Sequence, residues 1–165
     1  MSTLGKNGNS PVNVVLVEPE IPANTGNIIR LCANTGATLH LIGPLGFELN
    51  NSKMLRAGLD YHELCLFKFY ESWESFMVEE KPVKNKSYAI TTKGKVSFYD
   101  KNIPDKSWLF FGSETRGLSA TQRVFFSVHR QLRIPMKEKS RSLNLGNAVA
   151  VCVYEIWRKF NFSYK

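Results

Sequence analysis

The sequence lacks the patterns that indicate a membrane protein, a disulfide framework or a metal centre. Its longest apolar run, residues 148–154, falls far short of the roughly 20 residues that span a bilayer. Its three cysteines, Cys32, Cys65 and Cys152, are odd in number, far apart and set among apolar residues. We therefore expect reduced, buried thiols in a cytoplasmic protein. Because the chain contains no Cys-x-x-Cys pair and its histidines are scattered, we expect no metal.

Two nucleotide-binding motifs are also missing. Neither Gly-x-Gly-x-x-Gly nor Gly-x-x-x-x-Gly-Lys-[Ser/Thr] occurs, which argues against a nicotinamide dehydrogenase and a P-loop nucleotidase. Residues 1–10 are polar and rich in Gly, Asn and Ser, a composition that predicts a disordered N-terminal tail rather than a signal peptide.

Basic residues outnumber acidic ones. The chain has 22 Lys and Arg against 14 Asp and Glu, a net charge of +8 at pH 7. This excess favours a polyanionic partner, nucleic acid first. A basic protein without such a partner is the alternative that charge alone leaves open.

Short apolar segments alternate with segments of helical pattern. Most of the predicted strands are too apolar to have a wet face, so we predict an α/β fold, with a parallel sheet covered by helices on both faces. Residues 11–165 are expected to form one domain. The predicted strands cover residues 12–17, 39–42, 65–69, 88–91, 108–111 and 132–134. The predicted helices cover residues 24–35 with Asn24 as cap, 52–58, 72–80, 118–128 and 143–160.

Three polar, Gly- and Pro-containing loops follow predicted strands, where open parallel sheets bind ligands. They are residues 18–30, 112–117 and 134–147. The first leads into a helix on which Asn27, Arg30 and Asn34 form a polar stripe, and Arg30 is either a functional group or an ordinary solvated side chain.

The second and third loops each leave two hypotheses open. Glu114 and Arg116 lie in a turn between two glycines, either as part of a site or as a local ion pair. The third loop leads into a helix capped by Ser142 or Asn144, whose free N–H groups suit a polar ligand. A basic, solvated loop with a stabilising cap would look the same.

The last predicted helix is apolar nearly all round from residue 148 to residue 157. A helix without a wet face must be covered on two sides. Other helices of the chain or a second subunit could do this, and the small size of the chain favours a homodimer.

Four segments, taken together, resemble a known family. EPEIPANTGNIIRLCANTG, RAGLDYHE, FGSETRGL and IPMKEKSRSLNLGNAVAVCVYEIWR, in this order, are similar to the SPOUT (alpha/beta-knot) RNA 2′-O-methyltransferases. RAGLDYHE, residues 56–63, is most similar to the subgroup that modifies the tRNA wobble position, the TrmL/YibK type. The resemblance covers residues 12 to about 160.

The resemblance implies a deep C-terminal trefoil knot and a homodimer built partly on the last helix, with Tyr154 and Trp157 in the interface. It implies transfer of a methyl group from S-adenosyl-L-methionine to the wobble ribose (cytidine or a uridine derivative) of tRNA, leucine tRNAs first, without a metal. The implied catalytic residues are Arg30, Asn24, Glu114 and Asn144. The implied cofactor-binding residues are Ile90, Thr91, Gly112, Glu114, Ile134, Met136, Ser142 and Leu143.

The candidate RNA contacts are basic side chains that could hold phosphates and two rings that could stack on an unpaired base. They are Lys53, Arg56, Tyr61, His62, Lys93, Lys137 and Arg141. Two other functions are kept open: 2′-O-methylation at another RNA site, and RNA binding by a knotted dimer without catalysis.

Overall fold

In the computed structural model, residues 10–49 and 67–163 are described. The predicted helix over residues 52–58 and the start of the third predicted strand lie outside them. So do residues 1–9 of the predicted tail, whereas Ser10 is buried and its hydroxyl donates to Val12 O at 2.8 Å. None of the helices in the described part is long and apolar enough to cross a membrane.

The described residues form an α/β fold around one seven-stranded parallel sheet, as predicted. The strands are β1 (Val12–Val17), β2 (Thr38–Ile42), β3 (Phe67–Tyr70), β4 (Ser87–Ile90), β5 (Val96–Ser97), β6 (Ser107–Phe111) and β7 (Gln131–Arg133). The helices are α1 (Pro22–Thr35), α2 (Trp73–Glu80), α3 (Ala120–Arg123) and α4 (Leu145–Lys159), with 3₁₀ turns at Lys84–Lys86, Phe98–Asp100 and Val128–Arg130.

The spatial order of the strands is β3-β2-β1-β6-β4-β7-β5. From β1 the chain adds β2 and β3 on one side, whereas β6, β4, β7 and β5 lie on the other. The order therefore reverses between β1 and β6, where Leu16 is paired with Phe111. Crevices beyond the carboxyl ends of strands at such a reversal are the usual ligand sites of open α/β sheets. The knotted path of the chain stays a prediction from the resemblance.

Apolar side chains cover both faces of the sheet, in two separate clusters. On one face, α1 and α4 pack together through residues such as Ile28, Cys32 and Cys152, all buried. On the other face, Phe76 of α2 and Phe126 pack around Phe110 of β6. The helix α1 follows β1 and α4 follows β7, so both helices begin at the carboxyl edge of the sheet. Their packing brings the two helix starts together there.

The prediction of a helix over residues 118–128 was wrong. Ser119 caps a single turn, Ala120–Arg123, and a 3₁₀ turn follows at Val128–Arg130. The side-chain amide of Gln131 donates to the carbonyl oxygens of Arg123 and Phe126, at 3.3 and 3.2 Å. These are acceptors that a continuing helix would need for its own N–H groups.

A buried histidine lies between the sheet and α2. The ring of His40 lies 3.0 Å from the Tyr70 hydroxyl, which donates to Glu80 at 2.5 Å, and Glu80 also pairs with Lys68. Burial lowers the pKa of His40 from its usual 6.5 to about 4. His40 is therefore neutral at pH 7.

Candidate active site

A cleft of about 620 Å³ opens at the carboxyl ends of β4, β6 and β7, beside the start of α4. Its size lies in the range of small-molecule sites, about 300–1,000 Å³. All eight residues that the sequence suggested for the cofactor line it: Ile90, Thr91, Gly112, Glu114, Ile134, Met136, Ser142 and Leu143.

The three loops identified in the sequence supply three parts of this wall. Ile21 and Asn24 come from the first, the 112–117 turn is the second, and Met136, Ser142 and Leu143 come from the third. The apolar side chains among these can contact a flat ring, and the hydroxyl and backbone groups can bind polar atoms of the same ligand. The arrangement therefore suits a nucleoside-sized ligand of mixed polarity.

Glycine is required in the 112–117 turn because the chain folds back on itself there. A Cβ on Gly112 would lie 2.1 Å from Gly117 C and from Leu118 N, a distance no real contact allows. Gly117 has a φ of +66°, and its N–H donates to Ser113 O at 2.9 Å. Gly112 also lines the cleft, but the nearest neighbour of an added Cβ would be the opposite side of the turn.

Glu114 holds the beginning of α1. Its carboxylate accepts hydrogen bonds from the backbone N–H of Glu20 at 2.7 Å and of Ile21 at 3.1 Å, and from the Asn24 side chain at 3.2 Å. The local ion pair with Arg116 does not form. Arg116 instead lies 3.5 Å from a Glu18 oxygen and 3.7 Å from a Glu20 oxygen.

Glu114 also replaces the cap that the sequence assigned to Asn24. The helix begins at Pro22, its N-cap Ile21 makes no side-chain cap hydrogen bond, and Asn24 is buried inside the first turn. Proline is favoured at this first position because it lacks the N–H that would need a partner. A carboxylate from a turn 90 residues away supplies an acceptor at this helix start instead.

Asn24 and Asn144 are in direct contact. Asn144 donates from Nδ2 to Asn24 Oδ1 at 2.9 Å, and its own Oδ1 accepts from Asn147 N at 3.3 Å. Asn144 is therefore the N-cap of α4, one of the two residues expected there. Three of the four candidate catalytic residues, Asn24, Glu114 and Asn144, form one connected group at the edge of the cleft.

Arg30, the fourth candidate, lies further along α1. It is exposed together with Asn27 and Asn34, the polar stripe that the sequence indicated. It is eight residues from Pro22, which is about 12 Å along the helix axis, and it is not among the residues that line the cleft. The structure thus separates Arg30 from the residues that hold the start of its helix.

The basic candidates fall into two groups. Lys93 and Arg141 line the cleft, and Lys137 is exposed nearby on the third loop. Arg116 and Arg133 also line it, although they were not among the candidates. Arg133 lies one residue before the third loop, so the position of that loop was the sequence signal from which Arg133 could have been predicted as a cleft residue. Lys53, Arg56, Tyr61 and His62 lie outside the described residues.

No cluster of three or more His, Cys, Asp or Glu side chains suited to a metal ion occurs within residues 10–49 and 67–163. The two described cysteines are free and buried, and burial raises the pKa of the Cys32 thiol to about 12.

Comparison with known proteins identifies the family. The model of the SpoU rRNA methylase family matches residues 11–154, so the chain belongs to that family. A tRNA (cytidine(34)-2′-O)-methyltransferase of Burkholderia pseudomallei (strain 1106a) is 52% identical over 150 residues, 91% of this chain and 96% of the relative.

Solved structures agree on the fold. One described as giving structural insights into the 2-OH methylation of C/U34 on tRNA superposes with a TM-score of 0.79 at 38% identity, over 91% of each chain. The SpoU methyltransferase AviRb from Streptomyces viridochromogenes, in complex with the cofactor AdoMet, superposes with a TM-score of 0.74 at 25% identity, over 93% of this chain and 58% of that one.

Proposed function

We propose that this protein transfers a methyl group from S-adenosyl-L-methionine to the 2′-hydroxyl of the wobble ribose, a cytidine or a uridine derivative, in tRNA. The observation that carries the proposal is the cleft, where the three loops meet and the Asn24–Glu114–Asn144 group lies at the edge. The 52% identical relative, which is named for this reaction at cytidine 34, supports the substrate.

The residues of the cleft fit the proposed cofactor. Ile90, Ile134 and Leu143 offer apolar surface for an adenine ring, whereas Thr91 and Ser142 offer hydroxyl groups for its polar parts. When bound, the cofactor supplies an electrophilic methyl group on a sulfonium centre. The chain must then hold the ribose hydroxyl about 3–3.5 Å from that methyl group, in line with the bond that breaks.

Arg30 is proposed to act on the ribose. Its guanidinium is a poor proton acceptor because arginine has a pKa above 12. As the methyl–sulfur bond breaks and the methyl–oxygen bond forms, the hydroxyl proton passes to solvent. A planar, charged donor is better suited to stabilise the developing alkoxide or to hold the neighbouring phosphate. Asn24, Glu114 and Asn144 are proposed as positioning residues, since the hydrogen bonds of Glu114 and Asn24 fix the start of the helix that carries Arg30.

We propose a homodimer that uses α4. Tyr154 is 46% exposed on this helix, and its ring packs edge-on against Trp157 with centroids 5.7 Å apart. The indole nitrogen of Trp157 is buried and has no hydrogen-bond partner within the described residues. Light scattering should give about twice the chain mass of 18.8 kDa. A mass of one chain at micromolar concentration would exclude the dimer.

The cytoplasm is the proposed location. Free, buried thiols at Cys32 and Cys152 are typical of proteins in a reducing compartment.

The reaction is tested by incubating the protein with labelled S-adenosyl-L-methionine and tRNA and analysing the nucleosides by mass spectrometry. We expect 2′-O-methylcytidine or a 2′-O-methyluridine derivative, from position 34 only. The matched control is Arg30→Ala, which should form product at least about 10²-fold more slowly. Label at another position would support methylation of another RNA site. Cofactor and RNA binding without any product would support a non-catalytic RNA-binding dimer.

A further inference from the structure

Positive charge is concentrated in two stretches of the chain. Residues 81–99 and 115–137 contain ten of the 22 Lys and Arg and none of the 14 Asp and Glu. The fold brings the two stretches together, because β7 lies between β4 and β5 and pairs with both. The net charge of +8 therefore belongs mainly to one half of the sheet.

The side chains of β7 show that this half of the sheet is exposed at the carboxyl end of that strand. Leu132 is fully buried in the cluster that contains α4. Its neighbours Gln131 and Arg133 point to the opposite face, since side chains alternate along a strand. Arg133 is exposed and lies opposite Ser97 of β5. A parallel strand covered on both faces along its whole length would carry an apolar residue at the position of Arg133.

Basic side chains lie at both edges of this half of the sheet. At the edge where the strands begin, Lys84 Nζ lies 5.6 Å from the centroid of the Phe125 ring, and Arg130 Nε donates to Asn85 O at 3.2 Å. At the other edge, Lys93 and Arg133 line the cleft. We call these basic residues the basic strip and define it as Lys84, Lys86, Lys93, Arg130 and Arg133.

We propose that the basic strip binds the phosphate backbone of the substrate RNA beyond the cleft. RNA held at the cleft by Lys93 and Arg133 continues across the sheet to Lys84 and Lys86. The four residues of β4 between these ends span about 13 Å, so both ends can contact one RNA molecule. Such contacts set orientation rather than sequence. The inference rests on the proposed function, because that function makes RNA the substrate.

A protein partner is the other occupant to consider. Val124 and Val128 are exposed beside the strip, by 80% and 59%. The two stretches contribute ten cations and no carboxylate, which favours a polyanion, because an acidic protein surface would have to match the whole strip. The experiment distinguishes the two occupants through RNA affinity.

The test is the double variant Lys84→Gln/Lys86→Gln at the end of the strip far from the cleft. Binding of fluorescently labelled tRNA is measured by anisotropy over a series of salt concentrations. Each lysine that contacts a phosphate contributes about one unit to the slope of log affinity against log salt, so the slope should fall by about 2. The Kd at low salt should rise roughly fivefold or more. Lys84→Glu/Lys86→Glu should weaken binding further.

The matched control is Lys101→Gln/Lys159→Gln, which removes the same charge elsewhere. Lys159 Nζ contacts Lys101 O, and Glu155 keeps two hydrogen bonds from Arg158 when Lys159 is replaced. The control should change the salt slope little. Equal losses in both pairs, or no loss in the strip pair, would refute the proposal. The second result is the one expected if the strip binds protein.

A failure of the proposed function can be distinguished from a failure of the basic-strip proposal. If the protein binds tRNA but forms no 2′-O-methylated nucleoside, the reaction is refuted while the salt slopes still test the strip. If methylation occurs at position 34 and the strip pair binds tRNA like the control, only the strip is refuted. Thermal unfolding of both pairs verifies that the substitutions leave the fold intact.

Discussion

Asn144 and Asn24 lie 120 residues apart in the chain and are joined by one hydrogen bond of 2.9 Å between their side chains. Asn24 passes the connection on to Glu114 at 3.2 Å. The start of α4, the start of α1 and the 112–117 turn are thus held together by three polar side chains. This group borders the cleft, so its geometry determines how α1 is placed relative to any ligand there.

The bond between Asn144 and Asn24 can be removed without removing the helix cap. Asn144→Asp keeps an oxygen for Asn147 N but replaces the amide donor with a second oxygen that faces Asn24 Oδ1. We expect turnover to fall roughly 10- to 100-fold, since small misplacements of reacting groups have effects of that size. Stability should change by no more than about 1 kcal/mol, because Asp is as good a cap as Asn.

The control for this variant is Asn102→Asp, the same chemical change at an exposed position outside α1 and the cleft, which should leave turnover unchanged. Steady-state kinetics and thermal unfolding of both variants are the measurements. Normal turnover in Asn144→Asp would show that the contact has no part in positioning.

Arg30 is expected to matter for the reaction and not for the cofactor. Arg30→Ala should lower kcat by at least about 10²-fold, the effect of losing one donor to a developing oxyanion. Affinity for S-adenosylhomocysteine, measured by calorimetry, should be unchanged because Arg30 does not line the cleft. Arg30→Lys should stay low, since lysine keeps the charge but not the planar fork. Near-normal turnover of the lysine variant would show that a positive charge at this position is sufficient and that the planar guanidinium group is not needed.

The two glycines of the 112–117 turn should respond differently to alanine. At Gly112 the new methyl group meets backbone atoms at 2.1 Å. At Gly117 no atom of residues 10–49 and 67–163 lies within 4 Å, and only the φ of +66° is unfavourable. Gly117→Ala should cost about 1–2 kcal/mol of stability. Gly112→Ala should cost more than that, because the backbone itself must move. Urea unfolding of the two variants measures the difference, and equal stabilities would contradict the crowding at Gly112.

Acid should destabilise the protein through His40. Its pKa of about 4 in the folded state lies below the usual 6.5, so between these values the unfolded chain binds the proton more tightly. Stability therefore falls as the pH drops below 6.5, by about 2 kcal/mol at pH 5. Below pH 4 this contribution stays constant. The pH dependence of urea unfolding should be weaker in His40→Gln between pH 7 and pH 5; an unchanged dependence would assign the effect to other groups.

Elements governed by local rules were predictable from the sequence. The strand over residues 12–17 follows from its β-branched run, and α1 ends where Gly36 adopts the left-handed conformation expected after a helix. The start of α1 was not predictable, since its acceptor comes from Glu114. Strand β5 has only two residues and was missed, because two residues cannot show an alternating pattern.

The residues of the site were identified by motif, but their contacts were not. Glu114 and Arg116 look like an ion pair in the sequence, and only the structure shows that they bond to different partners in the 18–24 segment. The exposed face of β7 was also hidden. The sequence of β7 and of the residues next to it does not show which face of the strand a helix covers, because that depends on how far α3 extends.

The attachment of α1 to Glu114 has a thermodynamic consequence. One rigid helix begins at the wall of the cleft and carries Arg30 about 12 Å further along its axis. A ligand that shifts the 112–117 turn therefore moves Arg30 as well, which couples the two binding equilibria. Coupling of this kind is reciprocal: the factor by which the cofactor changes the affinity for RNA equals the factor by which RNA changes the affinity for the cofactor.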